Sequence, residues 1–215
     1  STSKLRKARR RLDETRPYFD AIRSTLHEII ELSSVEEGRW FDTRSEKKAP
    51  RVIATIVITS DKGLAGNYNH AVVRFTEEQC PKGSILLPIG LNGMHYFMAE
   101  DYVLLENFSS NAKEPTIEIA RDIANFVSNL FLSGKVDEFR VIYTKLHSAV
   151  KQEPDLITLL PFEHERFEPS RRHLEQVVSF EYLPDMETVF DYLAPTYLKG
   201  VIYGALVEAF ASEQM

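Results

Sequence analysis

Cysteine is nearly missing: Cys80 is the only one in 215 residues. That excludes an intramolecular disulfide framework and a cysteine-rich zinc site, and it fits a reducing compartment. Histidine is sparse as well. The six (His27, His70, His95, His147, His164, His173) show no HxxxH or HExxH spacing, so no metal centre is expected. No apolar segment follows the N-terminus, which is charged from Lys4 onward and does not read as a secretory signal. One stretch is apolar enough to test as a membrane span, Tyr192–Ala211, but it carries Pro195, Lys199 and Glu208. A proline and two charges within about 20 residues argue for a soluble helix packed on several sides. With 9 Gly, 10 Pro, 43% hydrophobic and 27% charged residues, the chain is an ordinary globular one of one or two domains.

Charge is unevenly placed. Residues 1–23 hold eight Lys/Arg against Asp13, Glu14 and Asp20, a net of +5, so with an overall charge of −6 the remainder carries −11. Two charge regimes in one chain imply two surroundings. Beneath the basic residues lies a repeat. Leu5, Ala8, Leu12, Thr15, Phe19, Ile22, Leu26 and Ile29 step alternately by 3 and 4. This is a heptad seam, and it predicts one helix over 3–32, about 45 Å long, with a helical partner. Pro17 falls on the outer face.

After a charged loop at 33–50, RVIATIVITSD (51–61) is β-branched and apolar almost throughout, as suits a strand buried on both faces. Further strands are expected at 84–90, 102–108, 138–148 and 155–162, and helices at 67–79, 91–99 and 116–134. A charged connection (163–176) leads to 177–185, and a last helix begins near Met186. The order is helix, β-α-β-α-β-α-β-β, helix. It predicts a mostly parallel, three-layer α/β, Rossmann-like domain at 51–176. The helices at 1–32 and 186–215 are expected to form an antiparallel coiled coil with that domain at one end. Both helices read as running past the ends of the sequence, since no stop signal follows Met215 and Ser1 enters in register.

Chemistry is thin. ITSDKGLAGNYN (58–69) sits after the first strand, where doubly wound folds hold phosphates. It is neither GxGxxG nor a P-loop, and Asp61, Gly63, Gly66 and Asn69 are read as a structural turn. A nucleotide- or phosphate-binding enzyme using residues 61–67 is the alternative. KLRKARRRL (4–12) suggests phosphate neutralisation on nucleic acid, but the acidic remainder opposes it. No catalytic group and no cofactor are expected. A folded α/β domain with a coiled coil and no active site reads as an interaction or mechanical part.

Three stretches carry a resemblance. SKLRKARRRLDETRPYF (3–19), with RPY at 16–18, is similar to the N-terminal shaft helix of F-type ATP synthase gamma subunits. ITSDKGLAGNYN resembles that family's SDRGLCGxxN turn, with Lys62 for Arg and Ala65 for Cys. LAPTYLKGVIYGALVEAFASEQM (193–215) resembles its C-terminal shaft helix, running into ASE at 211–213. The resemblance implies a non-catalytic central-stalk rotor, without both shaft tips, that transmits torque between the membrane c-ring and the alpha and beta ATPase subunits. It also implies an epsilon-type partner, no nucleic acid, and membrane contact only through partners, on the cytoplasmic face of a bacterial plasma membrane. Lys4, Arg6, Lys7, Arg9 and Arg10 are expected on the hexamer side. Glu36, Glu37, Arg39, Trp40, Arg44, Tyr182 and Asp185 are expected on the ring side. With Cys80 alone, the dithiol segment of chloroplast members is absent.

Overall fold

The computed structural model describes residues 2–33, 38–41, 50–61, 66–148, 150–167 and 185–214. Helix α1 (Thr2–Leu32) opens the chain. Then follow β1 (Ile53–Ile58), α2 (Asn67–Gln79), β2 (Ile85–Ile89), α3 (Leu91–Met98) and β3 (Val103–Leu104). Helix α4 (Ile117–Leu132), β4 (Glu138–Leu146), β5 (Gln152–Leu160) and α5 (Met186–Glu213) complete it, with short 3-10 turns at Arg39–Phe41 and His164–Phe167.

The sheet order is β3-β2-β1-β4-β5. The first four strands are parallel and β5 returns antiparallel to β4. Period-two alternation sorts β1 between two cores. Ala54, Ile56 and Ile58 face the layer built by α1, α4 and α5. Val57 faces α2 and α3 with Val72, Val73, Leu86 and Phe97. Both faces are covered, which is why β1 is apolar along its length.

Two features depart from the sequence expectations. The strand expected over 102–108 is only Val103–Leu104, because it lies at the sheet's edge and the chain turns away after it. Helix α5 also does not stand wholly beyond the α/β layer. It packs along α4 and β4, so Phe190, Leu198, Ile202 and Leu206 share one core with Phe139, Val141 and Leu159 of the sheet.

Along α1 the seam is the buried stripe: Ala8, Ile22, Leu26 and Ile29 are buried, Leu5, Leu12, Thr15 and Phe19 half-buried, and Pro17 exposed. Its partner is α5. Lys4 and Glu213 line the same open cavity, and Phe19 packs against Gly200, so early α1 meets late α5 and the pair is antiparallel.

Candidate functional site

The turn after β1 is tied by its own side chains. Asn69, on the first turn of α2, accepts from Ser60 N–H at 3.0 Å and donates to Ser60 Oγ at 2.7 Å. Asp61 accepts from Leu91 N–H at 3.1 Å, so its carboxylate sits on the N-terminus of α3. Gly66 has φ 55, a left-handed value that favours glycine. Gly63, with Lys62, lies outside the described residues. Across the turn, Gly90 has φ 101 and lies so close to the Thr59 carbonyl that a Cβ would collide with it. Thr59 Oγ1 accepts from Gly93 N–H at 2.9 Å.

In doubly wound folds the ligand crevice lies outside the carboxyl ends of the strands where the chain reverses its winding. Here that point is the β1/β4 boundary, and the chain's own α5 lies across it. Ser212, 1% exposed, donates to the Thr144 carbonyl of β4 at 3.4 Å. Tyr68 of α2 is buried against Thr144 and Glu213, and burial together with the Glu213 charge pushes its hydroxyl well above the ordinary tyrosine range. The place where a nucleotide would lie is therefore taken by the last turn of a helix. Among the described residues no group of three or more His, Cys, Asp or Glu is arranged to hold a metal ion.

The other feature is the basic face of α1. Lys4, Arg6, Lys7, Arg9 and Arg10 are all exposed. Four of them, Lys4, Arg6, Lys7 and Arg10, line an open groove of about 700 Å³ with Glu114. Arg9 does not line it.

The residues expected on the ring side are more scattered. Glu36, Glu37, Arg44 and Tyr182 lie outside the described residues. Arg39 is exposed and pairs with Asp191 of α5 at 3.3 Å. Asp185 is exposed and caps α5, accepting from Thr188 N–H at 3.2 Å and from Thr188 Oγ1 at 2.6 Å. These bonds hold its carboxyl below the usual carboxylate range. Trp40 turns inward: it is 2% exposed, stacks on Phe162 at 5.7 Å, and donates Nε1–H to Asp191 at 2.7 Å. A large aromatic in a charged loop is driven into whatever apolar surface is near. Here that surface is a cluster of Phe41, Phe162, Phe167, Phe190 and Tyr197. The cluster fixes both 3-10 turns to the first half of α5, and sequence spacing gave no sign of it.

Sequence reasoning also passed over Glu208. It is a carboxylate on an otherwise apolar stretch of α5, and its oxygen accepts from Leu146 N–H at 2.9 Å. The signal was the lone acid itself.

Comparison with known proteins agrees with this architecture. The family described as ATP synthase matches residues 1–215. The ATP synthase gamma chain of Acetivibrio thermocellus is 39% identical over all of this chain and 75% of its own length. A sodium-ion-specific ATP synthase gamma chain of Acetobacterium woodii is 30% identical over all of this chain and 75% of its own. Among solved structures, a chain of the central stalk and c-ring of Tetrahymena thermophila mitochondrial ATP synthase shares the fold, with a TM-score of 0.61 and 23% identity over 99% of this chain and 90% of that one. With the match running from the first residue to the last, the chain belongs to the ATP synthase gamma-chain family.

Proposed function

We propose that this protein is the central-stalk subunit of an F-type ATP synthase, turning with the membrane ring and transmitting torque to the catalytic hexamer. The observation that carries this is the antiparallel pair of α1 and α5, rooted in an α/β layer whose ligand crevice is closed by α5. A supercoiled pair is stiff, and a stiff asymmetric shaft can force partner subunits through different binding states without chemistry of its own. Segments 1–32 and 186–215 form the shaft, and 51–176 the foot.

The basic face of α1 turns toward acidic surfaces of the alpha and beta subunits. The foot carries an epsilon-type subunit and meets the c-ring near Arg39 and Asp185, with Glu36, Glu37, Arg44 and Tyr182 in the adjoining segments. Trp40 supports that surface from behind. No helix among the described residues is long and apolar enough to cross a membrane. On this reading the protein sits at the cytoplasmic face of a bacterial plasma membrane, held there through its partners.

The test is to tag the protein in its own host, solubilise membranes gently and weigh the captured particle by native mass spectrometry. A large ATPase containing alpha and beta subunits supports the reading; a lone monomer or homodimer refutes it. Reversing charge at Lys4, Arg6, Lys7 and Arg10 together should weaken assembly or coupled turnover, with the wild-type interaction easing as salt rises. Unchanged assembly and turnover would remove those residues from the interface. Crosslinkers placed at Arg39 and Asp185 should capture ring subunits; capture of hexamer subunits alone would reverse the assignment.

A further inference from the structure

Strand β4 outruns β1. Their parallel register ends at Val57 opposite Ile142, and β1 stops at Ile58, while β4 continues to Leu146. Along a strand, alternate residues turn their N–H and C=O to opposite sides. His147 donates its N–H across the hairpin to Lys151, so Leu146 and Thr144 turn theirs toward the side where β1 has ended. Buried backbone groups without partners cost free energy comparable to a lost hydrogen bond. Helix α5 takes both. Glu208 accepts from Leu146 N–H at 2.9 Å, and Ser212 donates to the Thr144 carbonyl at 3.4 Å. Residues four apart share one face of a helix, so α5 presents one acceptor and one donor to two successive outward-turned groups of the strand. In effect it continues the ladder that β1 leaves unfinished.

We propose that Glu208 and Ser212 are the joint through which the sheet turns the C-terminal shaft helix. They are positioning residues, and the proposal rests on the central-stalk reading. Apolar packing between α5 and β4 resists separation but is non-directional, so the directional contacts between them are these hydrogen bonds. Hydrogen bonds weaken steeply off their preferred angle, so the 2.9 Å Glu208 bond, steadied by the longer 3.4 Å Ser212 contact one helical turn on, fixes the height and the rotation of α5 on β4.

The test uses the complete, membrane-assembled complex carrying Glu208→Ala, Glu208→Gln or Ser212→Ala. Three quantities are read: the amount of complex, ions pumped per ATP hydrolysed, and hydrogen exchange of the peptide containing Leu146. A role in stability alone lowers the amount of complex and leaves the pumping ratio unchanged. The joint requires Glu208→Ala to lower the ratio about twofold or more and to raise exchange by roughly ten- to a hundredfold, the scale of one lost hydrogen bond to a charged group. Glu208→Gln keeps an acceptor oxygen and stays near wild type. Ser212→Ala falls between. Wild-type pumping ratio in assembled Glu208→Ala complex overturns the proposal. Should Glu208→Ala fail to assemble, Ser212→Ala decides in the same way, since it removes only a hydroxyl. Absence of the wild-type chain from the ATPase particle would instead refute the central-stalk reading itself.

Discussion

At the scale of single residues, two glycines of α5 separate close approach from mere permissiveness. A Cβ on Gly200 would lie 2.5 Å from Phe19 Cδ1 and 2.7 Å from its Cγ. The near part of the ring is involved, so a small swing of its tip gives no relief. Gly200→Ala should therefore push α1 off α5 at the middle of their contact and destabilise the protein by about 1–3 kcal/mol, as overpacking does. Gly204, one turn on, has open space where a Cβ would stand, with no neighbouring atom within 4 Å. Gly204→Ala should be neutral or stabilise by roughly 0.5–1 kcal/mol, the gain of alanine over glycine in a helix. Urea denaturation of the two variants side by side checks the pair. Equal effects would mean that helix propensity, and not the approach of Phe19, sets the choice of glycine.

At the scale of elements, the 3-10 turn at Arg39–Phe41 is held by long-range bonds as well as by its own Phe41 N–H to Gly38 carbonyl bond at 3.1 Å. Phe162 N–H donates to the Trp40 carbonyl at 2.8 Å, and the indole N–H reaches Asp191 at 2.7 Å. Trp40→Phe keeps an aromatic ring in the cluster and removes that donor. It should destabilise by about 1–3 kcal/mol, the usual consequence of losing a hydrogen bond to a charged group, and Asp191→Asn should cost less because it keeps an acceptor. Urea midpoints of both variants test the order. This turn also marks where sequence legibility ends. The α1 seam was legible because seven successive 3- and 4-residue steps over one helix leave a single buried stripe, and β1 because burial on both faces demands an unbroken apolar run. The inward turn of Trp40 was not legible, since its partners Phe162 and Asp191 lie more than a hundred positions away. The antiparallel return of β5 and the shortness of β3 were hidden for a related reason: strand direction and edge position depend on neighbours, not on the strand's own residues. The Glu208 contact depends on how far β4 outruns β1, which composition does not encode.

At the scale of the whole molecule, the joining of shaft and sheet is lined with buried tyrosines, and this makes alkaline pH a probe of that junction. Tyr68 touches β4 and the end of α5, Tyr143 faces Glu208, and Tyr197 and Tyr203 lie on α5 itself. Burial raises the pKa of each, and at Tyr143 the nearby Glu208 and Asp155 charges add to it, pushing the hydroxyl from 10.0 to about 12. A raised pKa means that the folded state holds these protons where the unfolded chain has already released them. For Tyr143 that contribution is fully present below about pH 10 and is lost as pH climbs toward 12. Stability should therefore fall across that window with a slope set by the number of tyrosines protonated only when folded. Tyr143→Phe should flatten the slope, because one such proton is removed. Urea midpoints measured at stepped alkaline pH, with tyrosinate absorbance followed on the same samples, test this. Tyrosinate assigned to Tyr143, by difference from the Tyr143→Phe variant, that appears before the urea midpoint begins to fall would show that the surroundings of Tyr143 open locally while the rest of the fold holds.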